Sequence, residues 1–341
     1  MSKLLILGPL TNKRNPSKTG GAVVLFENLI EKLNELKIDY TLIDTNKENY
    51  QNTYIAYISV IFQLVYKQFG KTHISLHSSR DYLIFAPIVI LLSKFFNKKC
   101  SLRKFGGEAF EHYSKAKGTK KKILNFIFKN IDCLFLEMKY LVGNFKPINQ
   151  NTFWFPNVRN NNDLEIKQHT YSKKFIFISQ VKYEKGIDEI INAFKLLDNT
   201  FNIDIYGPIV DKRYNVNTFK EFENIHYKGA LNSNEVLKTL NKNDVLVLPT
   251  FYEGEGYPGI IIESYSVSKP VISTKWKGIV EIVDEKTGIL IEPKNTNELV
   301  NAIKYFNENN YSEFSKNTQE KFKEFNSEIQ TKKFLNTIGI N

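Results

Sequence analysis

Two cysteines in 341 residues, Cys100 and Cys133, cannot build a disulfide framework or a cysteine-rich metal site, and a reducing, cytoplasmic setting is expected. Long hydrophobic runs are missing as well. The two longest apolar stretches, residues 55–66 and 82–92, are broken by Gln63 and Pro87 and fall short of the roughly 20 residues that span a bilayer. The first apolar run, residues 4–7, turns at Gly8-Pro9; it is too short for a signal-peptide core and reads as a first strand. No Walker A sequence, His-Glu-x-x-His or Cys-x-x-Cys occurs, so metal chemistry and cysteine nucleophilic catalysis have no local support.

Acidic residues are in the minority: 36 Asp and Glu against 47 Lys and Arg leave a formal charge of +11. Net charge concerns solubility and association, not fold, so the excess matters only where it is clustered. Lys94, Lys98 and Lys99 lie beside Phe95 and Phe96. Lys115, Lys117, Lys120, Lys121 and Lys122 run into the largely apolar residues 123–128. Such clusters suit a solvated helix face, an anionic membrane surface or nucleic acid. The interleaving of basic and bulky apolar side chains favours a membrane surface over nucleic acid, which is not expected as a partner.

What is present is an ordinary globular composition, 42% hydrophobic and 24% charged, with 26 Phe and 18 Tyr for packing. At roughly 150 residues per domain, the length makes two domains. Short β-rich runs alternate with longer helical ones, the pattern of a parallel α/β fold. In the first half, strands are expected at residues 4–7, 40–43, 73–77, 101–105, 132–136 and 152–155, with helices beginning near Ala22, Thr53, Tyr82 and Lys120. An Asn-rich stretch without apolar periodicity, residues 159–170, reads as the linker.

The alternation then restarts. Strands are expected at residues 175–179, 202–206, 226–228, 244–248, 270–273 and 288–291, and helices at 186–197, 234–240, 259–268 and 298–306. Asn232 with Glu235 and Asn295 with Glu298 have N-cap spacing, and a last helical segment, residues 311–335, follows the final strand. The expected architecture is α/β: two tandem Rossmann-like, doubly wound domains, residues 1–158 and 159–310. They face across a cleft, with ligands at the carboxyl ends of the strands.

Residues 244–263 carry the most chemistry. A buried strand ends at Pro249, a glycine-rich loop follows, and a helix opens with Pro258 at about its first position, where proline is well tolerated. Free amides at Gly259 and Ile260 then point out of the helix N-terminus, a ready site for a phosphate or diphosphate. Gly256 and Gly259 let backbone approach such a ligand closely. Glu263, about one turn into the helix, is placed to accept hydrogen bonds from ribose hydroxyls. Glu255 lies on the side where a sugar attached to the diphosphate would extend, and Glu253 is its rival. Eight residues on from Glu255 is Glu263, whereas eight on from Glu253 is Ile261, so spacing selects Glu255. The plain alternative is that all three are exposed acids.

A second window, residues 179–186, connects the first strand and first helix of the second domain. Lys185, immediately before Gly186, is placed to put an ammonium on a phosphate, although a Lys-Gly pair is common and also fits a simple surface lysine. Gly207-Pro208 adds a third small turn on the same edge. In the first domain, Gly20-Gly21 precedes the helix from Ala22 and offers a second helix N-terminus to phosphate or sugar. That loop does not read Gly-x-Gly-x-x-Gly.

Together these residues resemble the GT-B-fold retaining glycosyltransferases of family 4, or group 1. The family's Glu, seven residues, Glu is matched by Glu255 and Glu263. Pro270-Val271-Ile272, Gly278-Ile279 with Glu281-Ile282-Val283, Thr287-Gly288-Ile289-Leu290, Lys185-Gly186 and Gly20-Gly21 also look like the family, most strongly over residues 174–293. The resemblance implies a nucleotide-diphosphate sugar donor, a UDP- or GDP-sugar, held mainly by the second domain, with no cofactor and no metal. Glu255 would contact hydroxyls of the transferred sugar and Glu263 the ribose. Lys185 would neutralise the leaving diphosphate with the Gly259 and Ile260 amides, and Gln180, Gly207, Gly256, Tyr257 and Pro258 would line the same site.

The implied acceptor, a hydroxyl of a glycan or lipid-linked molecule in cell-surface polysaccharide biosynthesis, would bind the first domain. That work would place the protein at the inner face of a cytoplasmic membrane. Residues 311–341 would cross back to the first domain. Two departures stand out. Family members carry Arg where this chain has Gln180, which removes a cation from the phosphates unless Lys182 or Arg103 supplies one. Residues 103–108 stand where many members have a cleft-facing His; His77 and His112 read as structural or exposed. Gln180 opens the rival reading, a non-catalytic partner subunit of the same fold; a nucleotide-sugar epimerase is the other.

Overall fold

The computed structural model describes residues 3–15, 20–161, 164 and 170–340. Most of the stretch read as a linker, and residues 16–19 of the first polar loop, lie outside the described residues. The chain forms two compact units, Met1–Asn160 with Ser327–Asn341, and Asn161–Asn326.

The first unit runs β1 (Leu4–Gly8), α1 (Gly21–Glu35), β2 (Tyr40–Asp44), α2 (Thr53–Lys67), β3 (His73–Ser78), α3 (Tyr82–Phe95) and β4 (Lys99–Lys104). It continues with α4 (Ala109–Lys115), α5 (Gly118–Asn130), β5 (Cys133–Leu136), α6 (Lys139–Phe145) and β6 (Thr152–Trp154). The second runs β7 (Lys174–Ile178), α7 (Ile187–Lys195), β8 (Asn202–Tyr206), α8 (Asn217–Lys220), β9 (Ile225–Gly229), α9 (Val236–Asn241) and β10 (Val245–Leu248). There follow α10 (Gly259–Ser266), β11 (Val271–Thr274), α11 (Ile279–Ile282), β12 (Gly288–Ile291), α12 (Thr296–Tyr305) and α13 (Glu308–Phe322). A last helix, α14 (Ser327–Ile338), belongs to the first unit.

Each unit winds one six-stranded parallel sheet, in the orders β2-β1-β3-β4-β5-β6 and β12-β11-β10-β7-β8-β9. Strand β1 is apolar, with Leu4, Leu5, Ile6 and Leu7 all fully buried, as a parallel sheet covered on both faces requires. The next strands in that sheet, β3 and β4, bury polar side chains as well, among them His73, Ser75, Ser101 and Arg103. All twelve strands stand where the alternation places them, with ends moved by one or two residues. The short helices α4, α6, α8 and α11 are extra; at one or two turns they are too brief to set up a legible period. Asn295 caps α12 through the Glu298 amide at 3.0 Å, and Asn232 with Glu235 forms a capping box.

The segment expected as one helix over residues 311–335 is two. After α13 comes a 3-10 turn, Lys323–Phe325, and then Asn326 is extended (φ −67°, ψ 128°). Local side-chain bonds compete with the helix here. In the second unit the Asn326 amide donates to Asn161 Oδ1 at 2.6 Å. In the first, the Ser327 hydroxyl donates to Asn160 Oδ1 at 2.5 Å, and its N–H to the Arg159 carbonyl at 2.9 Å. The return to the first unit therefore begins at Ser327, and residues 311–326 stay with the second. Within the first unit Phe334 fills the core, its ring 5.0 Å from Phe135, 5.5 Å from Phe155 and 5.7 Å from His77.

Both cysteines are free. Burial pushes the Cys100 thiol up to about 12 and the Cys133 thiol up to about 11, which leaves them unreactive near neutral pH. Among the described residues no helix is long and apolar enough to cross a membrane.

Candidate functional site

The order of the second sheet sets β7 in the middle, between β8 and β10. The strand order reverses there, α7 lying with α12 and α10 with α9 and α13, so the loops leaving β7 and β10 part at a topological switch point. Glycine shapes the first of these loops. Gly186 has φ 79°, and a Cβ on it would stand 2.3 Å from the Pro249 carbonyl oxygen. Only glycine lets this loop press against the end of β10, and Lys185 is carried in with it. Gly207 (φ 135°) meets a similar demand: a Cβ there would lie 1.8 Å from the Ser179 oxygen. Its place on the edge is thus a steric requirement of the loops themselves.

Hydrogen bonds stitch the two loops together. The Phe251 N–H donates to the Glu184 carbonyl at 2.8 Å. The Lys185 ammonium is ion-paired with Glu255 Oε2, and each side chain is only 11% exposed. Thr250 Oγ1 lies 3.0 Å from the same carboxylate oxygen and 3.1 Å from the Glu184 carbonyl, with one proton to give to either. It accepts the Tyr252 N–H at 3.2 Å. The Tyr252 ring lies 3.5 Å from Lys182 Nζ and 5.1 Å from Lys185 Nζ, and Trp276 Nε1 donates to the Tyr252 carbonyl at 2.9 Å. Two ammonium groups therefore gather at one aromatic ring beside one carboxylate. The rival Glu253 is a surface acid, its side chain 78% exposed and paired with Lys277 at 2.8 Å.

Pro258 is the N-cap of α10 (φ −60°, ψ 120°) rather than its first helical residue, which is Gly259. No side chain caps this end and no acid lies in its first turn. The Gly259 and Ile260 amides thus have no intrahelical acceptor, and the positive end of the helix dipole is uncompensated. Gly256 is half-buried in the loop before it, and Glu263 is half-buried on α10. Gln180 is exposed. Tyr257 is a packing residue: 5% exposed, its hydroxyl donating to Glu281 and its ring 6.1 Å from Phe325. In the first unit, a Cβ on Gly20 or Gly21 would meet nothing within 4 Å, so packing requires neither glycine. They precede and open α1, whose N-terminus is likewise uncapped.

Sequence reasoning missed Thr250 and Tyr252. A polar residue just past a fully buried strand, after Pro249, was the available signal for Thr250. The spacing of residues 254–259, Gly-x-Gly-x-x-Gly, was another; it follows the fourth strand of its unit instead of the first. No group of His, Cys, Asp and Glu side chains among the described residues could hold a metal ion.

At the matching edge of the first sheet, polar groups are enclosed. His77 is fully buried with Nε2 2.9 Å from Ser75 Oγ, and burial, with Arg103 nearby, holds its imidazole well below the usual range. Arg103 is fully buried, its guanidinium 3.6 Å from the Phe155 ring centroid and 5.1 Å from that of Phe105, with Nη2 donating to the Pro156 carbonyl at 2.9 Å. Burial lowers its pKa to about 9 and that of Lys104 to about 8. Arg103 is accordingly held inside the aromatic core of its own unit. His112 is exposed, 3.5 Å from Glu108.

Residues 159–326 match the family described as glycosyl transferases group 1. An uncharacterized glycosyltransferase of Methanocaldococcus jannaschii is 31% identical over 159 residues, 46% of this chain and 44% of its own length. An uncharacterized 41.2 kDa protein in the cps region of Klebsiella pneumoniae is 26% identical over 322 residues, 85% of this chain and 86% of its own. The chain thus spans less than half of the first relative and most of the second. Among solved structures, HepE of Anabaena in complex with UDP aligns at a TM-score of 0.74 over 99% of both chains, with 13% identity. That likeness shows the fold, which is GT-B.

Proposed function

We propose that the protein, whose residues 159–326 match the family of glycosyl transferases group 1, is a retaining, metal-independent glycosyltransferase. It moves a sugar from a nucleotide-diphosphate sugar to a hydroxyl of a glycan or lipid-linked acceptor during assembly of a cell-surface polysaccharide at a membrane. The observation that carries the reading is the meeting of Lys185 and Glu255 at the switch point, in the same loop system as the uncapped amides of Gly259 and Ile260. The UDP bound by HepE supports a nucleotide donor, UDP- or GDP-linked, and the cps-region relative supports a role in polysaccharide assembly.

Departure of a nucleoside diphosphate develops negative charge, which Lys185 and the helix N-terminus of α10 meet in a partly buried site. Glu255, a pure acceptor when ionised, takes hydrogen bonds from the sugar hydroxyls, and Glu263 from the ribose. The acceptor oxygen bonds to the anomeric carbon on the face that the diphosphate leaves. The bond from that carbon to the phosphate oxygen breaks, and the departing oxygen takes the acceptor's proton, so configuration is retained.

The test is incubation with UDP-, GDP- and dTDP-sugars and a lipid-linked acceptor fraction. Transfer that survives EDTA and collapses in Glu255→Ala supports the reading; full activity in Glu255→Ala sinks the site. Gln180 favours a second reading, a non-catalytic partner subunit, and tight donor binding with neither transfer nor hydrolysis would select it.

A further inference from the structure

Ten of the twenty large apolar side chains exposed among the described residues lie between Tyr54 and Phe95. On α2 they form a stripe. Tyr54, Ile58, Phe62 and Tyr66 recur every fourth residue and are each 70–80% exposed, while the opposite face buries Ala56, Val60 and Leu64. Phe96 continues the surface, its ring 5.5 Å from Phe69, just past α2, and 4.9 Å from Phe95, which is 81% exposed at the end of α3. An apolar surface this extensive marks an interaction site.

The surrounding charge says of what kind. From residue 49 to residue 107 the chain has eight Lys and Arg and a single acid, Asp81. That carboxylate is already engaged by Lys47 and the Tyr57 hydroxyl, each at 3.1 Å. Lys98 lies 5.7 Å from the Phe96 ring centroid, and Lys71 stands near enough to add to the burial that lowers the Lys98 pKa. Tyrosines at both ends of the stripe suit the level where lipid headgroups meet acyl chains. We propose that the outer face of α2, continued by Phe69 and Phe95, docks the protein on an anionic bilayer surface. The apolar stripe enters the headgroup boundary, and Lys71, Lys94 and Lys98 face the acidic headgroups. The cluster at residues 115–122 is less suited, because α5 turns Leu124, Ile127 and Phe128 inward and leaves Ile123, 37% exposed, as its one large apolar side chain at the surface.

This inference takes from the proposed function only its membrane setting, and its test needs no catalysis. The full chain is floated with vesicles of phosphatidylcholine alone or with about 30 mol% phosphatidylglycerol. Wild type should float with the anionic vesicles only, and less at high salt. Ile58→Ser/Phe62→Ser should weaken that binding about tenfold or more, and Lys71→Glu/Lys94→Glu should abolish the dependence on phosphatidylglycerol. Lys120→Glu/Lys121→Glu/Lys122→Glu should bind like wild type. Unchanged circular dichroism keeps misfolding out of the comparison, and Phe62→Trp adds a second readout, a blue-shifted emission on anionic vesicles. Failure of wild type to bind, or α2 variants that bind as well as it does, would overturn the proposal. So would a wild-type dimer that the α2 variant loses, which would give the face to a second copy. Vesicle binding without sugar transfer leaves the surface standing while the enzymatic reading falls; transfer without vesicle binding does the reverse.

Discussion

The two units wind the same parallel sheet through the same kind of switch point, yet treat polar groups at its carboxyl edge in opposite ways. In the second, Lys185 and Glu255 are drawn together but not closed off, beside a Tyr252 ring that is 38% exposed. In the first, His77 and Arg103 are fully buried among Phe105, Phe155 and Phe334, and it is the outer helix α2 that shows bare surface, apolar instead of charged. The sheet decides which side chains meet; the loops decide whether they meet solvent. One fold thus yields a candidate reaction site in one unit and an aromatic-filled body with a proposed docking face in the other.

The largest expected effect comes from breaking the ion pair. Lys185→Ala removes the cation proposed to face the leaving diphosphate, and single-turnover transfer should fall about 10³-fold; a loss within about tenfold would remove Lys185 from the site. Phe334→Ala should cost the first unit about 3–5 kcal/mol in a denaturant titration, because it opens a void between Phe135 and Phe155. A second-unit probe at Trp276 should keep its midpoint, and a common shift would contradict independent cores.

Acid should then separate the units. Burial lowers the His73 pKa to about 4, against about 6.5 in an unfolded chain. The unfolded state therefore binds the proton first as pH falls. Stability from His73 is full above about pH 6.5 and is lost progressively down to about pH 4, a total of about 3 kcal/mol. His77, lowered by burial as well, acts in the same direction. Denaturant midpoints of the first unit should fall between pH 7.5 and pH 5, and a flat profile would refute the buried neutral imidazoles. The smallest effect is expected from Thr250→Val, which removes the hydroxyl beside Glu255 at nearly constant shape. It should cost about 1 kcal/mol and leave transfer measurable.

Much of this was legible because strands such as β1 and β10 are short unbroken apolar runs bounded by turns. Glu255 and Lys185 could be singled out by spacing and by the glycine that follows the lysine. Thr250 showed only as a polar residue past a buried strand. The meeting of Thr250 and Tyr252 with Lys185 stayed hidden, since it depends on β7 lying next to β10 and chain order hides that pairing. The break between α13 and α14 escaped notice for a different reason: Asn326 and Ser327 look like ordinary polar helix residues until Asn160 and Asn161 are beside them. Periodicity on α2 marked a helix, but a stripe apolar on both faces does not say which face is covered.

The placement of α14 has a consequence for the order of events during synthesis. Most of the first unit leaves the ribosome first, but Phe334, Leu335 and Ile338, which complete its core, are made only after the whole second unit. The second unit is a continuous segment and can close as soon as it emerges. The half of the chain translated second is therefore expected to fold first, while the earlier half waits with Phe135 and Phe155 uncovered.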